Sequence, residues 1–155
     1  MVTAKWKTYE RKEHSMKLKE IMTKEVEVVH PDDSLQEAAQ KMRIRDVGYL
    51  PVCDGDRLVG VVTDRDIVLR SIADGTDPNT SIGRDLMTSP IIYCFDDQDV
   101  QEAAKLMEEH QIRRVAVVSR DNKRLVGVVS LGDIATNGTK KTSAEVLQSV
   151  SEPTG

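Results

Sequence analysis

Two stretches of the chain place apolar residues along one face of a helix. Both show the spacing i, i+3, i+4 and i+7, and the second repeats the first 65 residues later. The positions are Leu35, Ala38, Ala39 and Met42, then Val100, Ala103, Ala104 and Met107. Ser34 with Glu37, and Asp99 with Glu102, have the spacing of a reciprocal N-terminal cap. The pattern predicts two amphipathic helices, each with one stripe to bury.

Short runs of apolar and β-branched residues predict strands around each helix. In the first half they are residues 26–29, 49–53 and 58–62, and in the second half 91–94, 115–118 and 125–129. Asp54-Gly55-Asp56 predicts a tight turn, and residues 120–123 a longer one. A closing helix is expected from Thr63 toward Ala73, and its counterpart after Ser130 should stop at Asn137-Gly138.

The two halves are copies of one motif. Leu58-Val59-Gly60-Val61-Val62 matches Leu125-Val126-Gly127-Val128-Val129, and Ile21-Met22-Thr23 matches Leu86-Met87-Thr88. A repeat that keeps one alignment over so many residues is stronger evidence for the architecture than the secondary-structure propensity of individual residues. We divide the chain into an extension, a first motif, a linker, a second motif and a tail. Their ranges are 1–17, 18–73, 74–81, 82–138 and 139–155.

Composition narrows the function classes. A formal net charge of −4 argues against bulk binding of nucleic acid, and no apolar run is long enough to span a membrane. With an N-terminus too polar for a signal peptide, a cytoplasmic protein is expected. Cys53 and Cys94 are interpreted as buried small hydrophobes. Because the three histidines are scattered and catalytic motifs are absent, we predict neither a metal site nor an enzyme.

The chemically informative feature is Thr63-x-x-Asp66 and its copy Ser130-x-x-Asp133. In each, a buried strand ends at a hydroxyl residue that opens a helix. One interpretation is a capping box that needs no ligand. The other is a phosphate seat at the helix start, with an aspartate that accepts hydrogen bonds from ribose hydroxyls. The residues alone favour neither of these two interpretations over the other.

The two copies resemble a tandem pair of CBS domains, similar to stand-alone bacterial pairs of the hypoxia-response type. The Gly-h-h-Thr/Ser-x-x-Asp ending, the Met-Thr opening and Leu50-Pro51-Val52 carry the resemblance. It implies an α/β fold of two pseudo-symmetric motifs, each a small sheet flanked by helices, with two pseudo-symmetric clefts between the motifs. In the family these clefts bind AMP, ADP, ATP or another adenosyl ligand.

Carried over by resemblance, one cleft would use Ser130 and Asp133, with the backbone of Val26 and Glu27 lining the base. The other would use Thr63, Asp66, Ser89, Ile91 and Ile92.

The copies differ at the start of the second strand, where the family often has a basic residue for phosphate. Arg113 and Arg114 stand there in copy two, and Gly48 and Tyr49 in copy one. The arginines are either phosphate contacts or a solvated pair at a strand edge. We expect the Asp133 cleft to bind a phosphorylated nucleotide more tightly than the Asp66 cleft.

The expected function is adenine-nucleotide sensing that acts through a homodimer or an unidentified effector protein. Residues 1–17 carry Trp6, Tyr9 and several lysines, and are expected to transmit the output. One alternative is a ligand-free interaction or stress-response module. Another is a nucleic-acid binder that uses this N-terminal arm, although Glu10 and Glu13 dilute its charge and favour a docked helix.

Overall fold

The computed structural model describes residues 16–84, 90–137 and 148. Within these ranges, residues 16–23, 94–117 and 127–137 form one compact unit, called the first unit below. Residues 24–84, 90–93 and 118–126 form the second unit. Each unit therefore contains segments of both sequence copies. The expected roles of Trp6, Tyr9 and the tail lie outside the described residues.

Apart from an unpredicted short helix at Leu18–Ile21 and the absence of a strand at 26–28, the helices and strands follow the predicted order. They are α1 (Leu18–Ile21), α2 (Leu35–Arg45), β1 (Tyr49–Asp54), β2 (Arg57–Thr63), α3 (Asp64–Val68), β3 (Tyr93–Phe95), α4 (Val100–His110), β4 (Arg114–Val118), β5 (Leu125–Ser130) and α5 (Leu131–Asn137). Strands β1 and β2 pair antiparallel, and the other sheet has the order β3-β4-β5. The α/β fold of small sheets flanked by helices is confirmed.

The second unit buries the stripe of α2 against the β1–β2 hairpin. Its core contains Leu35, Ala38 and Met42 from the helix, packed with Leu50 and Val62 from the strands. Ser34 begins α2 as predicted: its Oγ accepts from the Glu37 amide at 3.0 Å, and its own amide donates to Glu37 Oε2 at 2.8 Å. β2 alternates buried and more exposed positions, whereas β1 is buried from Leu50 through Cys53.

The first unit joins the opening of copy one to the sheet and helix of copy two. Leu18 is fully buried, and the Thr23 amide and carbonyl bond Val128 at 2.9 and 3.0 Å. A Cβ on Gly127 would lie 2.8 Å from the Thr23 carbonyl oxygen and 2.7 Å from Met22 Sδ. Glycine at position 127 therefore allows the backbone of residues 22–23 to approach β5 closely.

The predicted strands at 26–29 and 91–94 are wrong in their extent. Val29 makes a single bridge to Val52, and residues 26–28 lie in no strand. In copy two the strand begins at Tyr93, after Ile91 and Ile92. Side chains rather than a ladder hold the first segment, since Lys41 Nζ donates to the Val28 carbonyl at 2.8 Å.

The closing helix of copy one reaches Ala73 as predicted, but its second half differs from an α-helix. Residues Leu69–Ala73 are π-helical, and the Asp74 amide bonds the Leu69 carbonyl at 2.9 Å. α5 is described from Leu131 to Asn137, and the predicted stop at Asn137-Gly138 lies at the edge of the described residues. No helix among the described residues is long and apolar enough to cross a membrane.

The interpretation of both cysteines as buried hydrophobes is confirmed. Cys53 and Cys94 are 4% and 2% exposed and unpaired. Burial raises the pKa of each thiol to about 11, with small additions from Asp56 at Cys53 and Glu102 at Cys94. At neutral pH both side chains are therefore protonated and poor nucleophiles.

We predict that neither thiol of the folded protein reacts promptly with an aromatic disulfide reagent at pH 7.5, and that both react in guanidinium chloride. Absorbance of the released thiolate measures the reaction. Lys105→Cys, on the exposed face of α4, is the control and should react at once in the folded state. Prompt reaction of one equivalent in the unmodified chain would contradict the burial of that cysteine.

Candidate functional site

The two hydroxyl–aspartate motifs form complete capping boxes. At α5, the Ser130 amide donates to Asp133 Oδ2 at 2.8 Å, and the Asp133 amide donates to Ser130 Oγ at 3.0 Å. At α3, the Thr63 amide donates to Asp66 Oδ2 at 2.9 Å, and the Asp66 amide to Thr63 Oγ1 at 3.2 Å. All four residues are partly exposed. The capping interpretation is therefore correct for both motifs, and it leaves Oδ1 of each aspartate available as an acceptor.

Each helix start is also tied to the segment that precedes the second strand of its copy. The Leu131 amide donates to the Arg113 carbonyl at 2.8 Å, and the Asp64 amide donates to the Gly48 carbonyl at 3.0 Å. This equivalent bond places Arg113 next to Ser130, and Gly48 next to Thr63. Arg113 and Arg114 are both exposed.

The two helix starts differ in charge more than the sequence analysis recognised. A Cβ on Gly48 would lie 2.6 Å from Asp64 Oδ2, so the Asp64 carboxylate occupies the space above this glycine. The Arg65 amide holds that carboxylate through Oδ1 at 2.8 Å. In copy two the position of Asp64 is taken by Leu131, which is buried. One helix start thus has a neighbouring arginine, whereas the other has a carboxylate.

The residues predicted to line a base lie in the second unit with partly exposed side chains. These are Val26, Glu27, Ile91 and Ile92. Among the described residues, no backbone group pairs with the amides or carbonyls of these four. The loss of the predicted strands therefore leaves polar backbone groups available to a ligand.

The side chain of Glu27 has partners that the sequence analysis missed. Its carboxylate oxygens lie 3.6 Å from Lys41 Nζ and 3.1 Å from Arg45 Nε, both on α2. Arg45, at the C-terminal end of α2, therefore helps to hold the 26–28 segment. The i, i+4 spacing of Lys41 and Arg45 was the available signal, because it places two cations on one helix face.

The structure groups the predicted residues by unit. Ser130, Asp133, Arg113 and Arg114 share the first unit. Thr63, Asp66, Ile91 and Ile92 share the second, together with Val26 and Glu27. Ser89 lies outside the described residues. In the part of the chain that is described, no group of three or more His, Cys, Asp or Glu side chains could hold a metal ion.

We predict that Ser130→Ala and Thr63→Ala each lower the free energy of unfolding by about 1 kcal/mol, because each removes an N-cap acceptor. Urea denaturation of the ligand-free protein measures the change. Thr136→Ala is a matched control in the exposed part of α5, where the hydroxyl bonds only its own helix, and should change stability by less than about 0.5 kcal/mol. If Ser130→Ala is as stable as the unmodified chain, the capping role is wrong.

Comparison with known proteins gives this geometry a family. The model of the CBS domain matches the chain twice, over residues 18–72 and 82–138. The similar relatives include "Hypoxic response protein 1" of Mycobacterium tuberculosis, 41% identical over 87% of this chain and 94% of the relative.

Three solved structures share the fold. "Hypoxic Response Protein I (HRPI) with two coordinated zinc ions" has a TM-score of 0.71 and 45% identity, covering 78% of this chain and 98% of that one. The CBS domain pair of "protein MJ0100 in complex with 5-methylthioadenosine and S-adenosyl-L-methionine" has a TM-score of 0.68 and 30% sequence identity, covering 79% of this chain and 94% of that one. "CBSX2 in complex with AMP" has a TM-score of 0.64 and 29% sequence identity, covering 85% of this chain and 96% of that one. With both copies matched along most of its length, this chain belongs to the CBS domain family and carries the domain as a tandem pair.

Proposed function

We propose that the chain is a regulatory protein that binds an adenosyl ligand. AMP, ADP or ATP is preferred at the group of residues that we call the Asp133 set: Ser130, Asp133, Arg113 and Arg114. The observation that carries this proposal is the arginine pair held beside a capped hydroxyl–aspartate motif by the Leu131 amide bond. Two structural relatives were solved with adenosyl ligands bound, AMP in one and methylthioadenosine with S-adenosylmethionine in the other.

Each residue of the Asp133 set has a role in this proposal. Asp133 accepts from the ribose hydroxyls through the carboxylate oxygen that the cap does not use. Ser130 and the guanidinium groups of Arg113 and Arg114 contact phosphate. Because the cap forms without ligand, binding would not have to fold the helix first.

The equivalent group in the second unit, called the Asp66 set, contains Thr63, Asp66, Ile91 and Ile92. It is proposed to bind phosphate less well. Asp64 holds a negative charge over Gly48, where the other copy has a basic side chain. Like charges brought together weaken binding, and this kind of repulsion gives specificity. An adenosyl ligand without phosphate suits this set better, with Ile91 and Ile92 beside the base and Asp66 on the ribose.

No bond is made or broken in this proposal, and the output is a change in a dimer or in the affinity for an effector protein in the cytoplasm. The rival function is a ligand-free interaction module, and the observation in its favour is that both hydroxyl–aspartate motifs are capping boxes, a role that needs no ligand. Binding measurements separate the two, since the capping boxes are common to both.

A second proposal concerns the dimer surface. Four large apolar residues are prominently exposed among those described: Ile44, Val68, Leu69 and Ile72. All four lie in the second unit, three of them along α3 and its π-helical continuation. Because such residues on one helical segment favour association with another protein surface, we propose that this segment pairs two copies of the chain.

We predict that calorimetric titration with AMP shows a tight phase that Arg113→Gln weakens by about tenfold, because one charge-assisted hydrogen bond is lost. Asp133→Ala should remove this phase, and Asp66→Ala should leave it largely intact. Asp64→Asn should strengthen AMP binding at the weaker set, since it removes the negative charge over Gly48.

The control for charge is Lys105→Gln on α4, which should leave the AMP titration unchanged. Absence of heat and of thermal stabilisation with AMP, ATP, NAD and S-adenosylmethionine would favour the ligand-free rival. Loss of the tight phase in Asp66→Ala, with Asp133→Ala unaffected, would reverse the assignment of the phosphate contact.

We predict that the chain is a dimer by light scattering at micromolar concentration and that Ile72→Glu makes it a monomer. Ile72 is 78% exposed, so a charge there should not disturb the core but should oppose burial against a second copy. Gln101→Glu, on the exposed side of α4, is the matched control and should remain a dimer. A monomeric unmodified chain, or a dimeric Ile72→Glu variant, would refute the proposed pairing surface.

A further inference from the structure

A separate cavity lies at the turn end of the β1–β2 hairpin. Its volume is about 260 Å³, at the small end for a metabolite site, and all of its lining residues belong to the second unit. Arg57 at this end and Thr63 at the other are the two ends of β2, a separation of about 20 Å along a seven-residue strand. We call this cavity the tip pocket. It is distinct from the Thr63–Asp66 motif.

The walls of the tip pocket are held by backbone hydrogen bonds. The Leu58 amide donates to the Lys123 carbonyl at 3.3 Å, and the Leu125 amide donates to the Asp56 carbonyl at 2.9 Å. Leu58 and Val118 contribute apolar surface from the two sides. The pocket is therefore part of the folded scaffold rather than a gap between loose loops.

The chemistry of the lining is cationic and aromatic over an apolar floor. Lys123 Nζ lies over the ring of Tyr93, 5.5 Å from its centroid, and Arg57 lines the same cavity. Asp54 is the one lining carboxylate, and its Oδ1 lies 3.6 Å from His30 Nε2. Two cations against one carboxylate leave a net positive charge, which attracts an anion.

The backbone of Lys123 is a second, independent observation. Its φ is +58°, in the left-handed region that lysine seldom adopts. The corresponding hairpin turn of copy one has Gly55, with φ +64°, where that conformation carries no steric penalty. Asp46 and Gln111, the other described non-glycine residues with positive φ, are C-caps of helices. Lysine in place of glycine in this turn indicates that the lysine side chain has a function that outweighs the cost of the backbone conformation.

We infer that the tip pocket binds a small organic anion, a phosphate or carboxylate attached to a flat apolar body. Lys123 and Arg57 contact the anionic group, and Tyr93, Leu58 and Val118 contact the body. Ile91 lines the tip pocket as well as the base site proposed with Asp66, whereas Lys123, Arg57 and Tyr93 line the tip pocket alone.

Amide chemical shifts of the ¹⁵N-labelled full chain, titrated with phenyl phosphate and with benzoate, test this inference. Saturable shifts at Leu58 and Lys123 with either compound are expected, and the stronger of the two identifies the anionic group. Benzyl alcohol, which lacks charge, should bind about tenfold more weakly, and so should phenyl phosphate to Arg57→Gln. Inorganic phosphate alone should also be weaker, because it lacks the apolar body.

Lys123→Gly is the decisive variant, since it removes the ammonium while giving the turn its preferred residue. It should lose about tenfold in affinity without a fall in melting temperature. Lys105→Gln should bind as the unmodified chain does. Saturating AMP should leave the tip-pocket shifts in place, whether or not AMP binds elsewhere. Absence of saturable shifts, equal binding by benzyl alcohol or by inorganic phosphate, or unchanged affinity in Lys123→Gly would each overturn the inference.

Discussion

The antiparallel contact between Thr23 and Val128 brings together segments that lie far apart in the sequence. Two backbone hydrogen bonds and the missing side chain of Gly127 let the opening of copy one lie directly against β5 of copy two. Leu18, just upstream, is buried completely in the same unit. Copy two therefore depends on the opening residues of copy one, and the repeat cannot be cut at its linker without exposing apolar surface.

Within this shared frame, the chemical difference between the copies is local. Both helix starts have the same cap and the same amide bond back to the preceding segment. Gly48 with Asp64 in one copy, and Arg113 with Leu131 in the other, then set opposite charges beside equivalent motifs. A duplicated fold can thus carry two unlike sites, because side-chain charge changes without disturbing the backbone bonds that position it.

Much of the fold could be predicted because its signals are local. The caps of α2 and α4, their apolar stripes and the alternation of β2 are all local signals that span only a few residues. The 26–29 segment was mispredicted because apolar residues favour a strand, whereas the Glu27 carboxylate and the Val28 carbonyl find their partners on α2 instead of a ladder. The tip pocket was missed for a related reason. Tyr93, Arg57 and Lys123 are distant in sequence, and the one local signal was lysine in a turn where its counterpart has glycine.

The placement of Asp66 offers a physical route from ligand to assembly. Asp66 lies in the first turn of α3, and the same segment continues through Val68, Leu69 and the π-helical turn to the exposed Ile72. A ligand bound to the Asp66 carboxylate would contact the first turn of the helix whose exposed face is the proposed pairing surface. π-Helical turns are uncommon and concentrate at functional sites, and this one, Leu69–Ala73, itself carries Leu69 and Ile72. If a ligand favours one position of this helix in the dimer, the dimer with that arrangement binds the ligand more tightly. By linkage, the factor by which the ligand changes the dimerisation constant equals the factor by which dimerisation changes the affinity for the ligand.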